Sequence, residues 1–348
     1  MRAGGLLATC VLLGAAGVLG WVAFDRYFVR ATHGVAPAPA PVVSATPNTL
    51  LDPLAPERPA LLDSSVRPAA DGGWVTARPA FQYSRKPAER GGVGPCGLSE
   101  GDTGGAFEPW KNLTKGRFSM PREGAFDATG SFVLVIHLHG DELARRELAV
   151  SRQNFVLYSL TLAPGENYAE LFSGSGLYAQ IVAQVEGAMS ERRGAPARAR
   201  HVALSAWSAG YMGILAILAQ PEARDVDAIV LIDGMHGPRD ALDRQLAPFV
   251  DYARRAAAGE RFMLVTHSSI DPPDFASTTE SAHHLISALG ARPRAVRRND
   301  RYGLELIEFF TQKDFHVRGY AGNDKADHCA QVTLLRDAFV ALGRRWGR

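Results

Sequence analysis

Cysteine is scarce in this chain, with three in 348 residues. Two of them, Cys96 and Cys329, lie beyond the N-terminal segment and permit one disulfide, Cys96–Cys329. No cysteine or histidine spacing matches a named zinc motif. An excess of one charge is also missing. Basic side chains number 38 and acidic ones 36, for a formal net charge of +2. That balance provides no basic field for nucleic acid, and no nucleic-acid motif accompanies it. Internal repeats are absent, which excludes a solenoid or array. What remains is the composition of a globular protein with a real core, 46% hydrophobic and 21% charged. The length allows one large domain or two small ones.

The N-terminus bears on the compartment. Residues 4–24, GGLLATCVLLGAAGVLGWVAF, contain no charged side chain. As a helix rising about 1.5 Å per residue, the run would extend roughly 30 Å, the thickness of a hydrocarbon core. A membrane anchor over residues 1–30 is therefore expected. A cleaved signal peptide is the competing reading, although Asp25, Arg26 and Arg30 stand where a small-residue cleavage site would be. Cys10 lies too close to Met1 to serve as a lipidation site. Both readings place the remainder outside the cytoplasm, in a periplasmic or extracellular setting where disulfides persist. Residues 31–94 read as a largely disordered linker. Its Pro/Ala-rich part, with APAPAPVV, favours an extended spacer, and a glycine-rich stretch follows. The catalytic domain is expected over 95–348.

Within that domain short apolar strands alternate with helices. Near-continuous apolar runs at 131–138, 154–162, 200–205, 227–232, 262–266 and 304–310 read as strands, most of them buried on both faces. Helices are expected over 177–189, 209–220, 241–258 and 277–290, the last opened by the capping-box signature Ser277-Thr-Thr-Glu280. A final helix is expected from an N-cap at Asp327 to Gly343. Alternation of this kind predicts an α/β fold, a three-layer α/β/α sandwich with a mostly parallel sheet.

Ala206-Trp-Ser-Ala-Gly210 lies between an apolar strand and an apolar helix. A sharp strand-to-helix turn lifts a serine above a sheet, and small neighbours are needed to make the turn. In this motif and in element order over roughly 130–343, the chain resembles the α/β-hydrolase superfamily. It departs from the usual G-x-S-x-G pattern by carrying Ala206 in place of the first glycine. The resemblance implies that Ser208 is a nucleophile and that the amide of Ala209 is one oxyanion donor. His137-Leu-His-Gly140 ends the first strong strand, and the resemblance implies that a second donor amide lies at Gly140 or Asp141, beside His139. His328, after the last main strand, occupies the place of the superfamily's catalytic histidine. His316 is the alternative, in an extended segment. Two carboxylates compete for the third role. Asp233 ends the strand AIVLI directly, and Asp271 follows FMLVT by a short loop.

These residues imply an esterase-like serine hydrolase working through an acyl-enzyme, with no cofactor and no bound metal, on a small-molecule or polymeric ester. An amide substrate or an acyltransferase would use the same groups. His236, His267, Ser268 and Ser269 are the expected polar contacts to substrate. Histidines gathered at strand ends, with Asp233-x-x-His236 and His137-x-His139, keep a metal-assisted hydrolase open as the rival. A catalytically inactive binding module of the cell envelope is a third possibility.

Overall fold

The computed structural model describes residues 105–347 apart from 164, 165 and 175. The expected anchor, the linker and Cys96 lie outside the described residues. Among those described, no helix is long and apolar enough to cross a membrane.

The strands are β1 (Lys111–Asn112), β2 (Arg117–Ser119), β3 (Phe132–Leu138), β4 (Val156–Leu160), β5 (Ala199–Trp207), β6 (Ala228–Ile232), β7 (Phe262–His267), β8 (Arg294–Asn299), β9 (Glu305–Gln312) and β10 (Phe315–Tyr320). They form a 10-stranded sheet in the order β1-β2-β4-β3-β5-β6-β7-β10-β9-β8. The centre, from β4 through β10, is parallel. Antiparallel strands close both edges, β2 and β1 on one side and β9 and β8 on the other.

Helices cover both faces. They are α1 (Asp141–Ser151), α2 (Tyr168–Ser173), α3 (Leu177–Arg193), α4 (Tyr211–Leu218), α5 (Leu242–Ala257), α6 (Thr278–Ser287), α7 (Lys325–Ala330) and α8 (Leu335–Arg345). Successive side chains on a strand point to opposite faces. Along β3, Phe132, Leu134, Ile136 and Leu138 join one core with Phe172 of α2, Ile181 of α3, Ile214 of α4, Phe249 of α5 and Leu285 of α6. Val133 and Val135 join the other, with Leu148 of α1 and Phe339 of α8. Two separate cores explain the unbroken apolar runs, since every residue of such a strand is covered. The architecture is a three-layer α/β/α sandwich.

The departures from the expected elements have physical causes. Residues 304–310 belong to β9, an antiparallel strand, and the last parallel strand is β10. The sequence FHVRGY hides β10 because a buried arginine interrupts its apolar pattern. Arg318 is 6% exposed and donates to the carbonyls of Phe310 and Val317. The final helix is broken in two, and Asp324, not Asp327, is its first N-cap. Asp327 is instead the reciprocal partner in that capping box. The box at Ser277 and Glu280 is present at the start of α6. Cys329 is buried and disulfide-bonded.

Candidate active site

Register brings the site together. Trp207, the last residue of β5, pairs with Ile232, the last of β6. Ser208 and Asp233 therefore leave the sheet side by side, at the C-terminal edge of neighbouring parallel strands. Both carry positive φ, 53° at Ser208 and 45° at Asp233, as do His139 and Met235 nearby in the chain. Such backbone is costly for residues other than glycine and persists only where the surroundings enforce it. Enforcement at Ser208 comes from close approach. A Cβ at Gly210 would stand 2.2 Å from the carbonyl oxygen of Leu138, so only glycine lets the turn pack against β3. Ala206 sits as a buried strand residue paired with Leu138 and Leu231, one step before the turn.

His328 arrives from α7, after β10. Its Nδ1 lies 2.7 Å from Oδ2 of Asp233. The other carboxylate oxygen accepts from the Ser268 amide and the Thr278 hydroxyl, both at 2.8 Å. Burial alone would raise the pKa of Asp233, but the hydrogen bond from His328 and those from Ser268 and Thr278 outweigh it and hold it below the ordinary value. An ionised Asp233 accepts the hydrogen bond from Nδ1–H, which puts the lone pair of the ring on Nε2. The indole of Trp207 stacks on the imidazole at 5.1 Å, and its Nε1 donates to the His328 carbonyl at 3.3 Å. The ring plane is thereby fixed from two sides.

Neutral histidines surround this group. His236 is buried, with its pKa lowered to about 4 by burial and then by His328. Burial lowers His139 likewise to about 4, and His328 adds to the effect. Its ring lies 5.3 Å from Trp207. Neither adds a positive charge that would oppose protonation of His328. His137 is a core strut. Its Nε2 donates to the His139 carbonyl at 2.8 Å, and its Nδ1 accepts from the Ser205 hydroxyl at 3.0 Å, which fixes the left-handed residue that ends β3.

The remaining expected residues are less uniformly placed. Asp271 is a correction. Its carboxylate is 61% exposed and lies 3.8 Å from Arg239, while the bond to His328 goes to Asp233. The Gly140 and Asp141 amides both donate to the Thr161 hydroxyl, at 3.0 and 3.3 Å. The Asp141 side chain is bound by Arg117. Ala209 lies in the 3-10 turn Ser208–Gly210 that leads into α4, where the first N–H groups have no partner within the helix. His267 is fully buried and faces Glu308, not Ser208. His316 lies within β10 against Thr311 and Phe262.

Sequence reasoning missed Thr278, although the capping box that places it beside Asp233 was readable, and it missed Thr161. A narrow cleft beside His328 is lined by Asp233, His236, Ser268, Thr278, Ile270, Pro272 and Phe275. Its wall is more apolar than the sequence suggested. The buried Ser268 hydroxyl has no hydrogen-bond partner among the described residues and points to a contact made only with substrate or water.

Burial of neutral imidazoles has a measurable consequence. His137 and His236 are depressed from 6.5 to about 4 by burial. Between those values the unfolded chain binds protons that the folded chain does not. Their contribution is therefore complete above pH 6.5 and declines as pH falls towards 4, by on the order of 3 kcal/mol per group. The urea midpoint is expected to drop steadily from pH 7 to pH 4.5. An unchanged midpoint across that interval contradicts the assigned neutrality.

The serine at its strand-to-helix turn, the carboxylate that ends the next strand and the histidine after the last parallel strand thus come together at one edge of the sheet. No protein-family model matches the chain, and no curated protein matches it. Solved structures do resemble it. Siderophore hydrolase EstB from Aspergillus nidulans is 12% identical with TM-score 0.43, over 70% of this chain and 96% of that one. Est1E from Butyrivibrio proteoclasticus is 10% identical with TM-score 0.37, over 68% and 98%. An uncharacterised protein from Capnocytophaga ochracea DSM 7271 is 10% identical with TM-score 0.40, and this chain covers 66% of its own length and 64% of that protein. At such identities, and with TM-scores below 0.5, these likenesses settle neither activity nor substrate.

Proposed function

We propose that this chain is a serine hydrolase that cleaves an ester through Ser208, His328 and Asp233, with an amide as the less favoured bond. The observation that carries the reading is the 2.7 Å hydrogen bond from His328 to a buried, ionised Asp233, beside a serine held at φ 53°. Nε2 of His328 takes the Ser208 proton as Oγ attacks the carbonyl carbon. The imidazolium then returns the proton to the leaving oxygen as the carbon–oxygen bond breaks. Water, activated by the same nitrogen, releases the acid and restores Ser208. The Ala209 amide stabilises the oxyanion. A second donor requires the Asp141 amide to turn from Thr161, and its 3.3 Å bond is the longer of the two there.

Substrate shape follows from what surrounds the cleft. Only a 3-10 turn and α5 separate β6 from β7, so no inserted lid is present there. A narrow cleft without a lid in that connection suits an ester whose bulk stays outside it, with Ile270 and Phe275 against the inserted apolar part and His236 and Ser268 against its polar part. The test is a fluorophosphonate probe followed by peptide mapping, with an adduct expected on Ser208.

The same proposal places the domain outside the cytoplasm, tethered by residues 4–24 or secreted after their removal. Support comes from the disulfide at Cys329, since such bonds persist in oxidising compartments. Fractionation of cells making the full chain is expected to recover it in the membrane, open to protease added from the non-cytoplasmic side. Recovery in the cytosol with Cys329 reduced contradicts the placement.

A further inference from the structure

We propose that His267, His283 and Glu308 form a zinc site that ties α6 and β9 to the end of β7, separate from the cluster at Ser208. The site begins with a row across the sheet. Gly319 of β10 pairs with His267 on β7 and with Glu308 on β9. Side chains in such a row share one face, and the middle position is empty. A Cβ at Gly319 would lie 2.5 Å from His267 Nε2 and 2.6 Å from Glu308 Cγ. Glycine there allows two residues from strands that are not neighbours to meet over the strand between them. His283, from α6, completes the set.

The three side chains converge. His267 Nε2 lies 3.0 Å and His283 Nε2 lies 2.5 Å from the same atom, Oε1 of Glu308. One ligand atom from each residue falls within a 4.8 Å group, the one such group among the described residues that could hold a metal ion. His267 is fully buried, and the other two are 26% and 16% exposed at the side chain. Zinc binds two histidines and a carboxylate at about 2.0–2.2 Å, with ligand atoms roughly 3 to 3.5 Å apart. A slight opening between His283 and Glu308 reaches that geometry.

The hydrogen bonding around His267 also leaves one ring nitrogen for a ligand. The Thr279 hydroxyl donates to the Ser268 carbonyl at 2.8 Å, so its oxygen accepts from His267 Nδ1 at 2.9 Å. That makes Nδ1 the donor to Thr279 and leaves Nε2 directed at the Glu308 carboxylate. Nε2 makes no well-directed hydrogen bond despite its 3.0 Å approach. Zinc-bound histidines commonly present their second N–H to an oxygen acceptor in this way. A cleft lined by His283, Ser287, Arg292 and Pro293 opens beside the cluster and gives access to a fourth position for water.

The ion would act on the site at Asp233 through two short links. His267 precedes Ser268, and Thr279 follows Thr278, the two residues that donate to the second oxygen of Asp233. Zinc thus fixes the strand end and helix start that position the acid, without touching Ser208 or His328.

The experiment uses the full chain in detergent, without a histidine tag, stripped by chelator and titrated with zinc chloride by calorimetry. One equivalent per chain is expected at micromolar affinity or tighter, with Tm raised by about 5 °C. Glu308→Gln and His283→Ala should each weaken binding by about 100-fold or more while keeping the fold by circular dichroism. If both variants unfold, cobalt(II) titration of the wild type decides, with tetrahedral visible absorption bands expected. Fluorophosphonate labelling of Ser208 should survive stripping. Failure of folded wild-type protein to bind zinc, unchanged binding in both variants, or loss of labelling on stripping would each overturn the assignment.

Discussion

Ser208→Ala is expected to fold normally, to take no fluorophosphonate adduct, and to turn over an activated ester about 10^5-fold more slowly than wild type. The hydroxyl is the only group lost, and the neighbours that hold the turn, Gly210 against Leu138 and Trp207 against His328, are untouched. A companion variant separates chemistry from strain. Ser208 sits at φ 53°, where glycine carries no Cβ penalty. Ser208→Gly should therefore be as inactive as the alanine variant and more stable than wild type by about 1 kcal/mol. Turnover within tenfold of wild type in Ser208→Ala, or an adduct mapped to another residue, would sink the nucleophile assignment.

Asp233→Asn is expected to lower kcat by about 10^4-fold, while Asp271→Asn leaves it within about twofold. In the first variant an amide oxygen still accepts from the Ser268 amide and the Thr278 hydroxyl, so packing is preserved. Its NH2 then faces His328 Nδ1, which must become the acceptor. The proton moves to Nε2, and the imidazole can no longer take one from Ser208. Asp271 is mostly exposed, opposite Arg239, and solvent replaces what it loses. Steady-state kinetics on the two variants decides between the carboxylates. Equal losses in both would show that the crystal-clear partition between a buried and an exposed acid does not govern catalysis.

Much of the local structure was readable in advance. Runs such as FVLVIHL and AIVLI admit few alternatives, because unbroken apolar strands require cover on both faces and so a parallel sheet between helices. The serine turn was readable because its residue types answer steric demands made within a few residues. Ser277 and Glu280 announced the start of α6 for the same reason. β10 was not readable, since Arg318 is accommodated by carbonyl acceptors on β9 and on its own strand and breaks the pattern. Nor was α1, whose charges pair with residues far away, as Glu147 does with Arg336.

The sequence by itself determined the layered α/β class, the serine at its strand-to-helix turn and a histidine that follows it late in the chain, all of which depend on local pattern and chain order. Only the tertiary structure decided which carboxylate serves His328, because Asp233 and Asp271 both follow strands and differ in what packs around them. It alone turned the Gly140 and Asp141 amides to Thr161. It alone set His267, Gly319 and Glu308 in one row, because their meeting depends on strand order and register, which join residues far apart in the chain.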